Sequence, residues 1–167
     1  MRLAQDLFFF AYRDLTAAAD AILSELGLGR AHHRALHFIG RRPDIAVNEL
    51  LSLLGITKQS LARVLGELVT RHYVVVVQGP RDRRQRLLSL TDAGHDLERR
   101  LFERQRERML AAYRDAGGPA VEGFRRVMRG MMDEQTRSLL EPQPDLARSA
   151  RPAARAPAAS VLLRRPL

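Results

Sequence analysis

The stretch from Gly55 to Gly94, GITKQSLARVLGELVTRHYVVVVQGPRDRRQRLLSLTDAG, constrains the chain more than any other. Its first part places Leu61, Val64, Leu65, Leu68 and Val69 on one side of a helix, the three-and-four spacing of an amphipathic α-helix. Thr57 stands where an N-cap belongs, and Ile56 is placed to meet Leu61 as a hydrophobic staple. Tyr73–Val77 is a β-branched run too short for an independent helix; Gly79-Pro80 closes it, and it reads as a strand. Arg86–Leu90 is the return strand across the loop GPRDRRQ. Thr91 then caps a further helix.

The rest of the chain supplies helices on both sides. Residues 3–26 form one amphipathic helix, with Leu7, Phe8, Ala11, Leu15, Ala18, Ala19, Ile22, Leu23 and Leu26 at helical spacing, ended by Gly27 and Gly29. A second helix runs from Arg30 to Arg41, with Ala31, Ala35, Phe38 and Ile39 inward, and Pro43 stops it. A short third helix covers Val47–Leu54, and Gly55 is the turn. The helix capped by Thr91 extends to about Ala116, with Leu97, Leu101, Gln105, Met109 and Ala112 on one stripe. Gly117-Gly118-Pro119 breaks it, and a last helix covers residues 120–140. The third helix, turn, fourth helix and ribbon, in that order, make a winged helix-turn-helix. The fold class is therefore mainly α with a small β wing, flanked by N- and C-terminal helices. Residues 30–91 form the winged part, and 1–29 with 92–141 a helical region. Residues 142–167, which hold five of the eight prolines among Ala and Arg, read as a disordered tail.

Charge separates along the same boundaries. The net charge is +9, of which residues 30–91 carry +7, 1–29 carry −2, 92–141 carry zero and 142–167 carry +4. The excess on the winged part is what phosphate neutralisation requires. An arginine-rich proteome explains why 27 of 28 basic residues are Arg, but not why residues 92–141 are neutral. The absence of cysteine excludes disulfides, thiolate zinc sites and thiol redox sensing. No apolar run reaches the roughly 18 residues of a membrane span, and MRLAQDLFFFAYRD lacks the pattern of a secretory signal. A cytoplasmic, nucleoid-associated protein is expected. No nucleophile–base–acid set, glycine-rich phosphate loop or carboxylate pair is present, so neither catalytic residues nor a cofactor are expected.

Opposite its apolar stripe, the fourth helix carries Gln59, Ser60, Arg63, Glu67, Thr70 and Arg71. Gln and Arg pair bidentately with adenine and guanine edges in the major groove, and a groove-entering helix reads bases from its first turns. Lys58 and the free amides beside it suit a phosphate. The bland alternative is a solvated face. In the loop, Arg81, Arg83 and Arg84 cannot be a packing device, and Arg is drawn to the narrow minor groove. Asp82 is expected to hold a neighbouring guanidinium by a charge-assisted hydrogen bond.

ITKQSLARVLGELV, the wing DRRQRLLSLT with Asp82 and Arg84 at a D-x-R, and the L-T-x-x-G of Leu90, Thr91 and Gly94 together resemble the MarR-type transcriptional regulators. LFFFAYRD, GRAHHRALHFIGRRP and ITKQSLARVL are similar to its PetP-like branch. The resemblance covers about residues 5–140. It implies a homodimer built by the N- and C-terminal helices, a palindromic double-stranded operator, and a small effector between those helices and the winged part, where Phe8, Tyr12, His33 and His37 are the candidates. Two positions depart from the family pattern. Ala46 stands where a small polar cap opens the third helix, leaving Asp44 or Asn48 to substitute. His72 stands where the family has Gly, and His tolerates the left-handed conformation better than most residues.

His33 and His37, four apart on one helical face, have a chelating spacing, but no third ligand is evident and no metal is expected. Phe8, Phe9 and Phe10 cannot all face one way on a helix, which fits a dimer interface better than an exposed patch. The expected function is thus a homodimeric, sequence-specific DNA-binding transcriptional regulator. Its recognition helix reads the major groove and its wing arginine the minor groove. The rival is a sequence-tolerant architectural nucleic-acid binder without an effector.

Overall fold

Six helices and a two-stranded ribbon are predicted by the periodicity, and all are present in the computed structural model, which describes residues 1–80 and 82–140. Arg81 and the proposed tail lie outside the described residues. In chain order the elements are α1 (Arg2–Glu25), α2 (Arg30–Arg41), β1 (Ile45–Ala46), α3 (Val47–Leu54), α4 (Lys58–Thr70), β2 (Val74–Gln78), β3 (Arg86–Leu90), α5 (Asp92–Ala116), α6 (Gly118–Met131) and α7 (Glu134–Ser138). No helix among the described residues is long and apolar enough to cross a membrane.

The core gathers on α2, which packs against α1, α3, α4, β3 and α5. Its residues Ala35, Leu36 and Ile39 are fully buried. Leu36 joins this face although periodicity centred on Ala31, Ala35, Phe38 and Ile39 does not single it out; Ala31 and Phe38 are only partly buried. From α4 come Leu61, Val64, Leu65 and Leu68. Val69, expected on the same face, is instead 37% exposed. Eight residues after Leu61 it lies about 80° further round the helix, at the edge of the stripe.

Two helix ends set the angles between elements. At the end of α1, Gly27 has φ +63°, its N–H donates to Ser24 O, and Leu28 N–H donates to Leu23 O at 2.8 Å. That is a Schellman ending, with Leu23 and Leu28 both buried. The end of α4 repeats it with a non-glycine residue. His72 has φ 58°, its N–H donates to Val69 O, and Tyr73 N–H donates to Leu68 O at 2.9 Å. The departure from glycine at His72 leaves the chain path intact. It also explains why β2 starts at Val74 rather than Tyr73, whose amide belongs to the helix end.

The sheet is antiparallel with order β1-β3-β2. Val74 faces Leu90 and Val76 faces Leu88 in register, so the inward side chains of the ribbon close over the core. The strand β1, two residues long, is not predicted by the sequence pattern; Ile45 pairs with Leu88 and is buried. Asp44 before it has φ 64°, and its carboxylate accepts from Ser89 Oγ at 2.8 Å. The expectation that Asp44 or Asn48 replaces the missing cap of α3 is therefore corrected: α3 has no side-chain cap, and Asp44 is committed to the ribbon. Glu49 in the first turn of α3 still complements the helix dipole.

Thr91 caps α5 as predicted, accepting from Gly94 N at 3.0 Å and donating to His72 O at 2.6 Å. The last helix differs from expectation. It stops at Met131, and Asp133 caps a separate α7, accepting from Thr136 N at 2.6 Å. A short acidic side chain that can satisfy a free amide favours a new helix start over continuation. No residue of α6 is buried, and Phe124, Val127 and Met131 stand exposed on it, as do Leu3, Leu7, Phe8, Phe9, Phe10 and Tyr12 on α1.

Gly94 has a steric reason to be glycine: a Cβ there would lie 2.0 Å from Tyr73 O. Gly94→Ala should therefore lower stability by roughly 2 kcal/mol or more, through strain or loss of the cap. Gly66, in the middle of α4 with open space around it, is the control: Gly66→Ala should raise stability by about 0.5–1 kcal/mol. Denaturant midpoints of the two variants check both signs.

Candidate nucleic-acid interface

The face of α4 opposite its buried stripe is set by the cap at Thr57, whose hydroxyl oxygen accepts from Ser60 N at 3.2 Å. That bond and Leu61 N–H to Thr57 O satisfy two of the first amides. Lys58 and Gln59, whose amides come earlier still, open the helix. Lys58, Gln59 and Arg63 are exposed together. Ser60 is half-buried and belongs to the cap, where its Oγ accepts from Thr57 Oγ1 at 2.9 Å. Arg71, grouped with this face by sequence, is tied elsewhere: its guanidinium donates to Leu26 O and joins the end of α4 to the end of α1.

The wing is built around its own backbone bonds. Gly79 N–H donates to Gln85 O at 2.9 Å and Gln85 N–H to Asp82 O at 3.0 Å. The Asp82 carboxylate accepts from Arg84 N–H at 2.9 Å. Asp82 thus holds the backbone of the turn, on which Arg83 and Arg84 stand; its expected hold on a guanidinium involves a neighbour, Arg81, outside the described residues. Gly79 permits the tight closure, since a Cβ there would meet Asp82 O at 2.8 Å.

Arg83 and Arg84 line a shallow recess of about 380 Å³ with Val76, Val77, Gln78 and Arg86. Arg86 is the addition the sequence reading missed. It reads as the first residue of a strand, and its register opposite Gln78 is what brings it beside the loop arginines.

The four effector candidates do not line the apolar cavity together. Phe8 is 54% exposed on α1. Tyr12 lies beside Arg30, with the guanidinium carbon 5.8 Å from its ring centroid, and Arg30 grips Asp20 at 2.7 Å. His33 and His37 share a face of α2. Burial lowers the pKa of both. For His33 the neighbouring His37 lowers it further and Asp20 opposes; for His37 the nearby Glu98 opposes and Arg41 lowers it. His37 Nδ1 is 3.5 Å from Glu98 Oε1. Of the four, only His37 lines the apolar cavity of about 250 Å³ between α1, α2 and α5, with Leu15, Phe102, Gln105, Arg106, Met109 and Leu110.

Asp82 gives a test with a counter-intuitive sign. Asp82→Ala removes a negative charge from the basic face, yet it should weaken duplex binding by roughly 1 kcal/mol because the turn is lost. Asp82→Asn, which keeps an acceptor for the Arg84 amide, should retain most of the affinity. Fluorescence anisotropy with a short duplex checks this; tighter binding by Asp82→Ala would make the residue a repulsive bystander.

The geometry has counterparts among known proteins. The sequence model described as "MarR family" matches residues 26–85. The HTH-type transcriptional regulator PetP of Rhodobacter capsulatus is 53% identical over 137 residues, which are 82% of each chain. Among solved structures, a mutant MarR from E. coli complexed with operator DNA superposes with a TM-score of 0.62 at 19% identity, covering 77% of this chain and 93% of that one. Streptococcus pneumoniae FabT in complex with DNA gives 0.62 at 20% identity, covering 73% and 89%. At those identities the two structures speak to the fold.

Proposed function

The chain belongs to the MarR family of DNA-binding transcriptional regulators, and we propose that it acts as a homodimer that reads a palindromic operator. It is a regulator and not an enzyme. The observation that carries the finer reading is the exposure of Lys58, Gln59 and Arg63 on α4, on the same basic segment as the recess that Arg83, Arg84 and Arg86 line on the wing. In this reading residues 30–91 are the DNA-binding unit, Gln59 and Arg63 meet base edges in the major groove, Lys58 and the first amides of α4 take a phosphate, and Arg84 enters the minor groove. The DNA complexes of MarR and FabT support a duplex as the partner of this fold, and a cytoplasmic place beside the nucleoid is part of the same proposal.

Dimerisation through residues 1–29 and 92–141 is supported by apolar surface that one chain leaves uncovered. Leu7, Phe8 and Phe9 on α1 and Val127 and Met131 on α6 are more than half exposed, which is costly for a monomer in water. A small apolar effector fits the cavity beside His37 better than the dispersed set Phe8, Tyr12 and His33.

Two measurements test this together. Sedimentation at micromolar concentration should give about twice the 18.9 kDa chain mass. Sequencing genomic fragments retained by the protein should return one palindromic motif. A monomer that binds DNA tightly would remove the dimer from the account, and retention without any shared motif would favour the architectural alternative.

A further inference from the structure

One buried histidine is left over by the DNA-binding reading. His32 on α2 is 6% exposed. Its Nδ1 accepts from the Gly29 amide at 3.0 Å, so in the neutral ring the proton sits on Nε2. That nitrogen is buried and has no aligned hydrogen-bond partner among the described residues. Glu67 Oε2 lies 3.0 Å from it. The other oxygen of Glu67 lies 3.5 Å from Arg63 Nη1, one turn earlier on α4. A continuous line of polar contacts therefore runs from the N-cap of α2, through the interior, to the exposed arginine of the reading face.

An exposed Arg–Glu pair at i,i+4 would by itself hold little. Surface pairs of this kind are screened by solvent, and a basic residue preceding the acid is the weaker order against the helix dipole. The buried His32 changes this. An unsatisfied ring N–H is costly in the interior, and Glu67 is the acceptor in reach. Its carboxylate is thereby drawn to one place, with one oxygen left for Arg63. Arg63 is 72% exposed, so without Glu67 its long side chain would sample many rotamers before meeting a base.

We propose that Gly29, His32, Glu67 and Arg63 form a positioning relay, in which the buried histidine fixes Glu67 and Glu67 presents the Arg63 guanidinium for base reading. The proposal rests on the reading of α4 as the recognition helix. Glu67 is then a positioning residue with an opposite effect on the two kinds of binding. It opposes phosphate attraction by its charge and favours discrimination by ordering Arg63. A solely structural residue would change both together.

The test uses the full chain and duplexes selected by the wild type from a randomised library, compared with unselected duplex. Glu67→Ala should bind unselected duplex at least as tightly as wild type, while its selected-over-unselected ratio falls about five- to tenfold, part of the discrimination a bidentate Arg–guanine pair supplies. The two roles of His32 are separated by its amide replacements. His32→Asn keeps an acceptor for the Gly29 amide but is too short for Glu67; it should lose discrimination as Glu67→Ala does, with no further loss in the double variant. His32→Gln keeps a donor in reach of Glu67 and should retain discrimination even where its melting temperature drops. If His32→Asn does not fold, Arg63→Ala and Arg63→Ala/Glu67→Ala decide the matter: the relay predicts no further loss of discrimination in the double variant, and a further loss overturns it. Wild-type discrimination in Glu67→Ala overturns the relay. Loss in Glu67→Ala with none in His32→Asn also overturns it, since Glu67 would then meet a base directly. A wild type that selects no site overturns the recognition-helix reading, and the relay with it.

Discussion

The structure depends on the burial of one face of α2. Ala35, Leu36 and Ile39 have no exposed surface, and α1, α3, α4, α5 and β3 are all packed against this helix. The angle of α4, the seat of the ribbon and the line of α5 are thereby fixed to a common element. A truncation such as Leu36→Ala would leave a cavity, at a cost on the order of 2–5 kcal/mol, where these elements meet. The same helix carries His32 to the inner side of α4, so packing and the proposed base reading share one support.

Around that hub, short polar bonds set directions and apolar contacts supply stability. On α5 the ion pairs Arg99–Asp96, Arg104–Glu107 and Arg106–Glu103 are exposed and worth little each; Leu97 and Leu101 anchor the helix. The acids in those pairs have an electrostatic consequence all the same, because equal numbers of acids and arginines leave residues 92–141 neutral while the excess of +7 stays on residues 30–91. Attraction to phosphate is therefore concentrated on the segment that carries α4 and the wing.

Local chemistry was legible in the sequence; long-range contacts were not. Thr57, Thr91, Gly27 and His72 act within a few residues of themselves, and their caps and turns follow from residue type. The strand Arg86–Leu90 and the helices α2 and α3 fall where periodicity puts them. By contrast, β1 is two residues long and exists only through its pairing with β3. The left-handed turn at Asp44 depends on Ser89, far along the chain. Arg71 reads as part of the basic face but is spent on Leu26 O. A carboxylate between arginines suggests a guanidinium partner, and the turn geometry supplies Asp82 with a backbone amide that residue type alone does not reveal. The contact of His32 with Glu67 joins two helices and leaves no local signature.

The central claim is that α4 occupies the major groove while the wing occupies the adjacent minor groove. Dimethyl sulfate interference on a selected operator reads both at once, since methylation marks guanine N7 in the major groove and adenine N3 in the minor. The account predicts guanine interference at two clusters separated by about one helical turn, roughly 10–10.5 base pairs, with adenine interference flanking each. The flanking signal should fade in Arg84→Ala while the guanine signal stays. Binding that is indifferent to guanine N7 methylation, or a guanine pattern lost with Arg84 and kept without Arg63, would contradict it.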